Sequence, residues 1–133
     1  MARRYIVNSP GIFTSKRYLD VNYMEIDKDR FCDEIKLGAT SAIGHESTAK
    51  LISQLCKVDI KPNRVMIDLQ PGDVMLGIKL AFRPEEGKIY SDSELEELYK
   101  SGKIKFFRIR AFDEEDYLAI HDWVNTVILK RNE

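Results

Sequence analysis

The sequence predicts an α/β fold: a single domain on one mixed β-sheet flanked by helices, plus an extra C-terminal helix. Three observations predict it. The 133 residues, 44% hydrophobic and 32% charged, have globular composition and room for one domain of ordinary size. Short β-type runs, such as Tyr5-Ile6-Val7-Asn8 and Ile104 to Phe112, are interspersed with stretches of helical periodicity. Two of those runs flank a Pro-Gly turn, which reads as a hairpin inside the sheet. The main domain spans residues 1–112, and residues 113–133 form a helical extension of it.

Each element has a local reason. Tyr5 to Asn8 is a short buried strand, stopped by the turn formers Asn8-Ser9-Pro10-Gly11. Arg17 to Ile26 suits a second strand through Tyr18, Val21, Tyr23 and Met24. Asp27 to Leu37 is helical, with Phe31, Cys32 and Ile35 on one face and Gly38 as its stop. The segment Thr40 to Ala49 leads into a helix with the stripe Leu51, Ile52, Leu55 and Cys56. Arg64 to Leu69 reads as a strand, Gln70-Pro71-Gly72-Asp73 as a type II turn, and Val74 to Phe82 as the returning partner. Arg83 to Gly87 is a loop. Ser91 to Glu94 is a capping box for a helix reaching Lys100, with Gly102 after it. Ile104 to Phe112 is a strand. The closing helix is capped by Asp113 and carries Tyr117, Ile120, Val124, Val127 and Ile128 on one face.

Composition excludes several function classes. Lys and Arg number 21 against 22 Asp and Glu, a net charge of −1, which argues against general coating of nucleic acid. No apolar run approaches the roughly 18 residues of a membrane helix, and the chain opens directly into a strand-like segment, against secretion or insertion. Cys32 and Cys56 lie apart with no CxxC and no neighbouring histidine, so no zinc site is expected. Both occupy apolar helical positions, where a free cysteine in a reducing cytoplasm serves as a small hydrophobe, and the sequence leaves open whether the two pair in a disulfide.

His45 follows Gly44 at a loop-to-helix junction, where free N–H groups and the helix dipole favour an anion and histidine can exchange a proton near neutral pH. The same position equally describes a surface histidine in a first helical turn. His121 lies beside the apolar face of the closing helix and reads as structural. Arg83 with Glu85 and Glu86 fits either a phosphate and its attacking hydroxyl or a solvated loop tip. Asn8, Ser9 and Arg64 are ambiguous in the same way. Neither GxSxG nor GxxxxGK[ST] is present. Residue chemistry alone therefore yields a small α/β domain with a candidate anion site around His45, the surface-histidine reading standing beside it.

The words Ser41-Ala42-Ile43-Gly44-His45-Glu46-Ser47-Thr48-Ala49, Asn63-Arg64-Val65 and Arg83-Pro84-Glu85-Glu86-Gly87-Lys88-Ile89, in this order, add more. Together with Tyr5 to Ser9 and Leu95 to Phe107, they resemble the viral ring nucleases, a type III anti-CRISPR family of archaeal viruses and some phages and plasmids. The similarity covers about residues 4–110. The resemblance implies a two-fold homodimer that cuts cyclic tetra-adenylate into linear di-adenylate with 2′,3′-cyclic phosphate ends, without metal or cofactor. It also implies host-cell cytoplasm as the location.

Carried over residue by residue, the resemblance makes His45 the general acid, Glu86 the catalytic glutamate and Arg83 the phosphate-contacting arginine. Asn8, Ser9, Gly44 and Arg64 fall near the ligand, with Ser9, Thr14 and Ser15 as alternative hydroxyl contacts. An internal 2′-OH attack needs alignment, charge stabilisation and a proton donor rather than a bound water. The competing expectations are a module that sequesters the ring uncut, and a viral DNA-binding protein. No membrane and no stable DNA partner is expected.

Overall fold

The computed structural model describes residues 3–113. The expected helix after Asp113 lies outside the described residues. Five strands, β1 (Arg4–Val7), β2 (Asp20–Ile26), β3 (Thr40–Ser41), β4 (Val74–Leu80) and β5 (Ile104–Phe112), form one sheet in the order β2-β5-β4-β1-β3. β1 runs parallel to β3 and β4, and β5 runs antiparallel to β4 and β2, so the sheet is mixed.

Alternation along the strands separates two faces. Ile6, Leu76, Ile78, Ile104 and Phe106 point to the side on which α1 (Lys28–Lys36), α2 (Glu46–Cys56) and α3 (Asp92–Lys100) pack. Val7, Met75, Phe107, Ile109 and Ala111 point to the other side, where Leu69 and Ile67 cover them from a loop. The helices start where short polar side chains satisfy their free amides. Asp27 accepts from Arg30 N at 2.8 Å, and Ser91 and Glu94 form the full capping box.

One expectation fails. Residues 64–69 join no strand of the sheet, so β4 has no hairpin partner there. Both edges of β4 are already taken, by β1 and by β5. The turn itself forms: Asp73 N–H donates to Gln70 O at 3.0 Å and Gly72 adopts φ 90°, which the second central residue of a type II turn requires. Its buried Asp73 carboxylate accepts from Gln70 N at 2.9 Å and Arg3 N at 3.1 Å. The turn thus feeds β4 into the sheet beside β1. Residues 64–69 run instead along residues 13–15, through Leu69 N–H to Phe13 O and the hydroxyl of Thr14 to Leu69 O. The two-residue β3 is an addition, too short to leave a periodic trace.

Of the two readings left open for the cysteines, the structure takes the paired one. Cys32 of α1 and Cys56 of α2 form a disulfide, with Cα atoms 5.1 Å apart. Both helices pack on the same face, which brings two apolar-patterned cysteines together across their seam.

Gly77 lies opposite Phe107 in the register, and the Phe107 ring folds over it; a Cβ there would stand 1.9 Å from Phe107 Cζ. The ring is fully buried and stacks on Tyr23 at 5.6 Å. Gly77→Ala should therefore cost about 1–3 kcal/mol by overpacking, read as a lower denaturant midpoint at unchanged m-value. An unchanged midpoint would show that the ring moves freely.

Glu34 of α1 sits among three arginines: Arg4 at 2.6 Å, Arg108 at 3.8 Å and Arg30 at 3.9 Å. The Arg4 hydrogen bond foremost holds its carboxyl below the ordinary value of 4.5, against the opposing effect of burial. A depressed folded pKa means the stabilisation is present above the unfolded pKa and is lost as pH falls through the folded one. Glu34→Gln should thus lower the melting temperature at pH 7, and the gap to wild type should begin to narrow as pH falls below about 4.5 and go on closing as pH falls through the folded pKa. A gap that does not narrow at all as pH falls below that value would refute this account.

Candidate functional site: a cleft at the carboxyl ends of the parallel strands

The three mutually parallel strands β3, β1 and β4 open their carboxyl ends on one edge of the sheet, the place where α/β folds gather ligands. Asn8 and Ser9 follow β1, Gly44 and His45 come after β3, and Phe82 and Arg83 come after β4. Asn8, His45, Thr48, Phe82, Arg83 and Pro84 consequently line one cleft of about 260 Å3. Residues separated by 37 and 38 positions in sequence (8 to 45, 45 to 83) meet because their strands are aligned.

His45 is the N-cap of α2, with extended backbone at φ −116° and ψ 128°. Its carbonyl accepts the first helical bond from Ala49 N–H at 3.1 Å, while its imidazole makes no capping bond. The side chain is exposed and has no hydrogen-bond partner among the described residues. The amides of the first turn of α2 precede that first bond and carry the positive end of the helix. Arg83 is likewise exposed and joins no ion pair among the described residues. A proton carrier, a cation and a helix start therefore share one opening.

Arg64 reaches the same region from behind. Its Nε donates to Gly44 O at 2.9 Å, and its Cγ lies 3.5 Å from where a Gly44 Cβ would stand. Asn63 secures the approach, its side chain donating to Ser41 O and its N–H to Ile43 O, both at 2.8 Å. Gly44 accordingly accommodates the Arg64 stem at its back.

Glu86 is not brought into the His45 cleft. It lines a neighbouring opening of about 330 Å3 with Glu46, Ser47, Lys50 and Gly87, on another side of the first turn of α2. Its loop is held to α3 by Lys88, whose ammonium lies 3.0 Å from Glu94. That bond raises the Lys88 pKa and lowers that of Glu94.

The three hydroxyls separate cleanly. Thr14 donates to Leu69 O at 2.7 Å and Ser15 to Asp68 Oδ2 at 2.6 Å, so both are committed to the loop, whereas Ser9 lines an open pocket next to Asn8. The Ser15 contacts hold the Asp68 carboxyl below its usual value. Sequence reasoning missed Thr48 and Phe82 as lining residues. Thr48 stands one helical turn after His45, a spacing that would have placed it on the same face. Phe82 carried no such signal. No three His, Cys, Asp or Glu side chains gather into a metal-ligating group among the described residues.

A family model described as STIV B116-like matches residues 4–107, nearly the whole described region. The chain belongs to the STIV B116-like family. Protein ORF116 of Acidianus filamentous virus 1 is 41% identical over 70 residues, 53% of this chain and 60% of that protein. Protein 26 of a Sulfolobus islandicus filamentous virus is 46% identical over 59 residues, 44% of this chain and 50% of that protein. The chain thus spans half to three-fifths of the curated relatives it matches. The solved structure of B116 of Sulfolobus turreted icosahedral virus superposes with a TM-score of 0.76 at 31% identity, covering 82% of this chain and 99% of that one. The STIV B116-like fold is therefore shared, and these relatives are proteins of archaeal viruses. The family match includes β1, α2, the Arg83 loop and the start of β5. Among the described residues no helix is long and apolar enough to cross a membrane.

Proposed function

We propose that this protein is a viral ring nuclease that cleaves cyclic tetra-adenylate to linear di-adenylate and so counteracts type III CRISPR immunity. The observation that carries the reading is the single cleft shared by Asn8, His45 and Arg83. A phosphodiester in it meets a cation, the free amides of a helix start and a proton donor. The ribose 2′-oxygen attacks phosphorus and the P–O5′ bond breaks. His45 protonates the departing 5′-oxygen, which leaves a 2′,3′-cyclic phosphate on one end and a 5′-hydroxyl on the other. Arg83 balances charge on the non-bridging oxygens, and Arg64 holds the Gly44 backbone in place. Glu86 takes part by positioning the 2′-hydroxyl or accepting its proton, which requires the Arg83–Gly87 turn to carry it over the first turn of α2. A C2 homodimer offers one identical half-site to each half of the ring.

The test is incubation with labelled cyclic tetra-adenylate in EDTA, with the products resolved. Linear di-adenylate is the expected result. Ring bound but unchanged would favour a sequestering module, and no binding would leave a DNA-binding role to be tested by salt-dependent titration with duplex.

A further inference from the structure

Strand order puts β2 at one edge of the sheet and the two-residue β3 at the other. Sheet edges that face water are ordinarily blunted by shortness, Pro, Lys or a bulge. β3 is blunted by its length. β2 has none of these devices: it runs seven residues, Asp-Val-Asn-Tyr-Met-Glu-Ile, in unbroken register with β5. In an antiparallel ladder every second residue turns its N–H and C=O away from the partner. Those outward groups of residues 20–26 bond no other segment among the described residues. Beside them Val21 is 40% exposed and Tyr23 46%. The Tyr23 ring is already fixed, since it stacks on Phe107 and its hydroxyl meets the Lys79 ammonium. An ordered aromatic loses little freedom when something covers it.

The order of residues in β2 suits a second copy of itself. A two-fold axis normal to the sheet pairs two β2 strands antiparallel and keeps the helices of both copies on one face. Facing residues must then share a face, so odd positions meet odd and even meet even. With Tyr23 on the axis all seven residues pair, whereas a shift in either direction leaves only five paired. In that register the two Tyr23 rings meet, Val21 faces Glu25 of the other copy, and Asp20 faces Ile26. No acid faces an acid.

We propose that the β2 edge is an interface between copies of this chain, paired about Tyr23 so that the sheet continues from one copy into the next. This contact differs from that of the homodimer proposed above to cut the ring. Seven strand spacings would separate β1 from its counterpart, roughly 34 Å. Asn8, which follows β1, would then stand too far from its mate for both to hold one tetranucleotide ring. Pairing through β2 therefore joins such dimers and leaves their clefts open at the far end of the sheet. A seven-residue edge is smaller than a standard interface, so this assembly should grow with concentration.

The experiment is sedimentation velocity of the full chain over a wide concentration range without substrate, with melting temperature and cleavage of cyclic tetra-adenylate measured in parallel. Wild type should pass from its basal oligomer to larger species as concentration rises. Val21→Glu sets a carboxylate opposite Glu25 at two symmetric places and should weaken that step roughly 2- to 30-fold, since like charges facing across a ladder are unfavourable. Val21→Lys faces Glu25 with the opposite charge and should assemble at least as tightly as wild type. Adding Glu25→Lys to Val21→Glu should recover what Val21→Glu loses, which it would not do in a misfolded chain. Leu37→Glu, at an exposed residue after α1, should match wild type. A single species at every wild-type concentration would overturn the proposal. So would an unweakened Val21→Glu, or equal losses in Val21→Glu and Val21→Lys. Cleavage per protomer should stay constant throughout; cleavage lost in step with assembly would make β2 the contact of the nuclease dimer and overturn the arrangement. A wild type that assembles but leaves the ring uncut would overturn the nuclease reading alone.

Discussion

His45→Ala is expected to slow single-turnover cleavage of cyclic tetra-adenylate by at least about a hundredfold and still to bind the ring, since positioned general acids contribute about 10²–10⁴ in rate. The local structure makes this a clean experiment. His45 caps α2 through its carbonyl and not through its imidazole, and its extended backbone suits any residue. Alanine there removes the proton donor without removing a capping hydrogen bond, so the melting temperature should hold. Affinity should change modestly, because Arg83, Asn8 and the helix amides remain. A ring with 2′-deoxy sugars should bind and resist cutting by wild type, because its nucleophile is missing. Rapid cleavage of that analogue would sink the 2′-OH mechanism. Undiminished turnover by His45→Ala would sink the assignment of the acid. Glu86→Ala should lose less than His45→Ala, in keeping with its place outside the cleft.

Reduction of the Cys32–Cys56 bond should lower stability by about 3 kcal/mol, because it releases a loop of 24 residues' separation in the unfolded chain. For a domain of this size that is on the order of 10 °C in melting temperature. Both cysteines are buried, Cys32 at 7% exposure and Cys56 at 2%, so the thiols of the reduced protein would remain packed as small hydrophobes. The loss should therefore come from the chain constraint and not from a cavity. The bond also closes the segment that contains β3, Gly44 and His45, so the reduced protein should hold α2 against α1 less firmly. Two free thiols titrated in denaturant without reductant would show that the bond does not form in the purified protein.

Local features were legible in the residues. Asp27, the Ser91–Glu94 box and Pro71-Gly72 act within a few positions, and their hydrogen bonds form where the sequence places them. The strands Tyr5–Asn8, Val74–Phe82 and Ile104–Phe112 were read to within two residues. For the candidate site, the SAIGHEST and Arg83–Gly87 words named His45, Gly44 and Arg83, and the structure gathers Asn8, His45 and Arg83. It does not bring Glu86 beside them.

Residue patterns along the chain were enough to mark the three helices, the Pro71-Gly72 turn, the longer strands and the apolar side of each. The partners were fixed by packing. Val74–Leu80 takes β1 and β5 in preference to its neighbour across the turn, because a central strand has two edges and the buried faces of three strands must align at once. The same alignment pairs Cys32 with Cys56, frees residues 64–69 from the ladder and leaves Glu86 one opening away from His45. Caps and turns depend on neighbours along the chain, whereas these pairings depend on the packing of surfaces far apart in sequence, which no local pattern encodes.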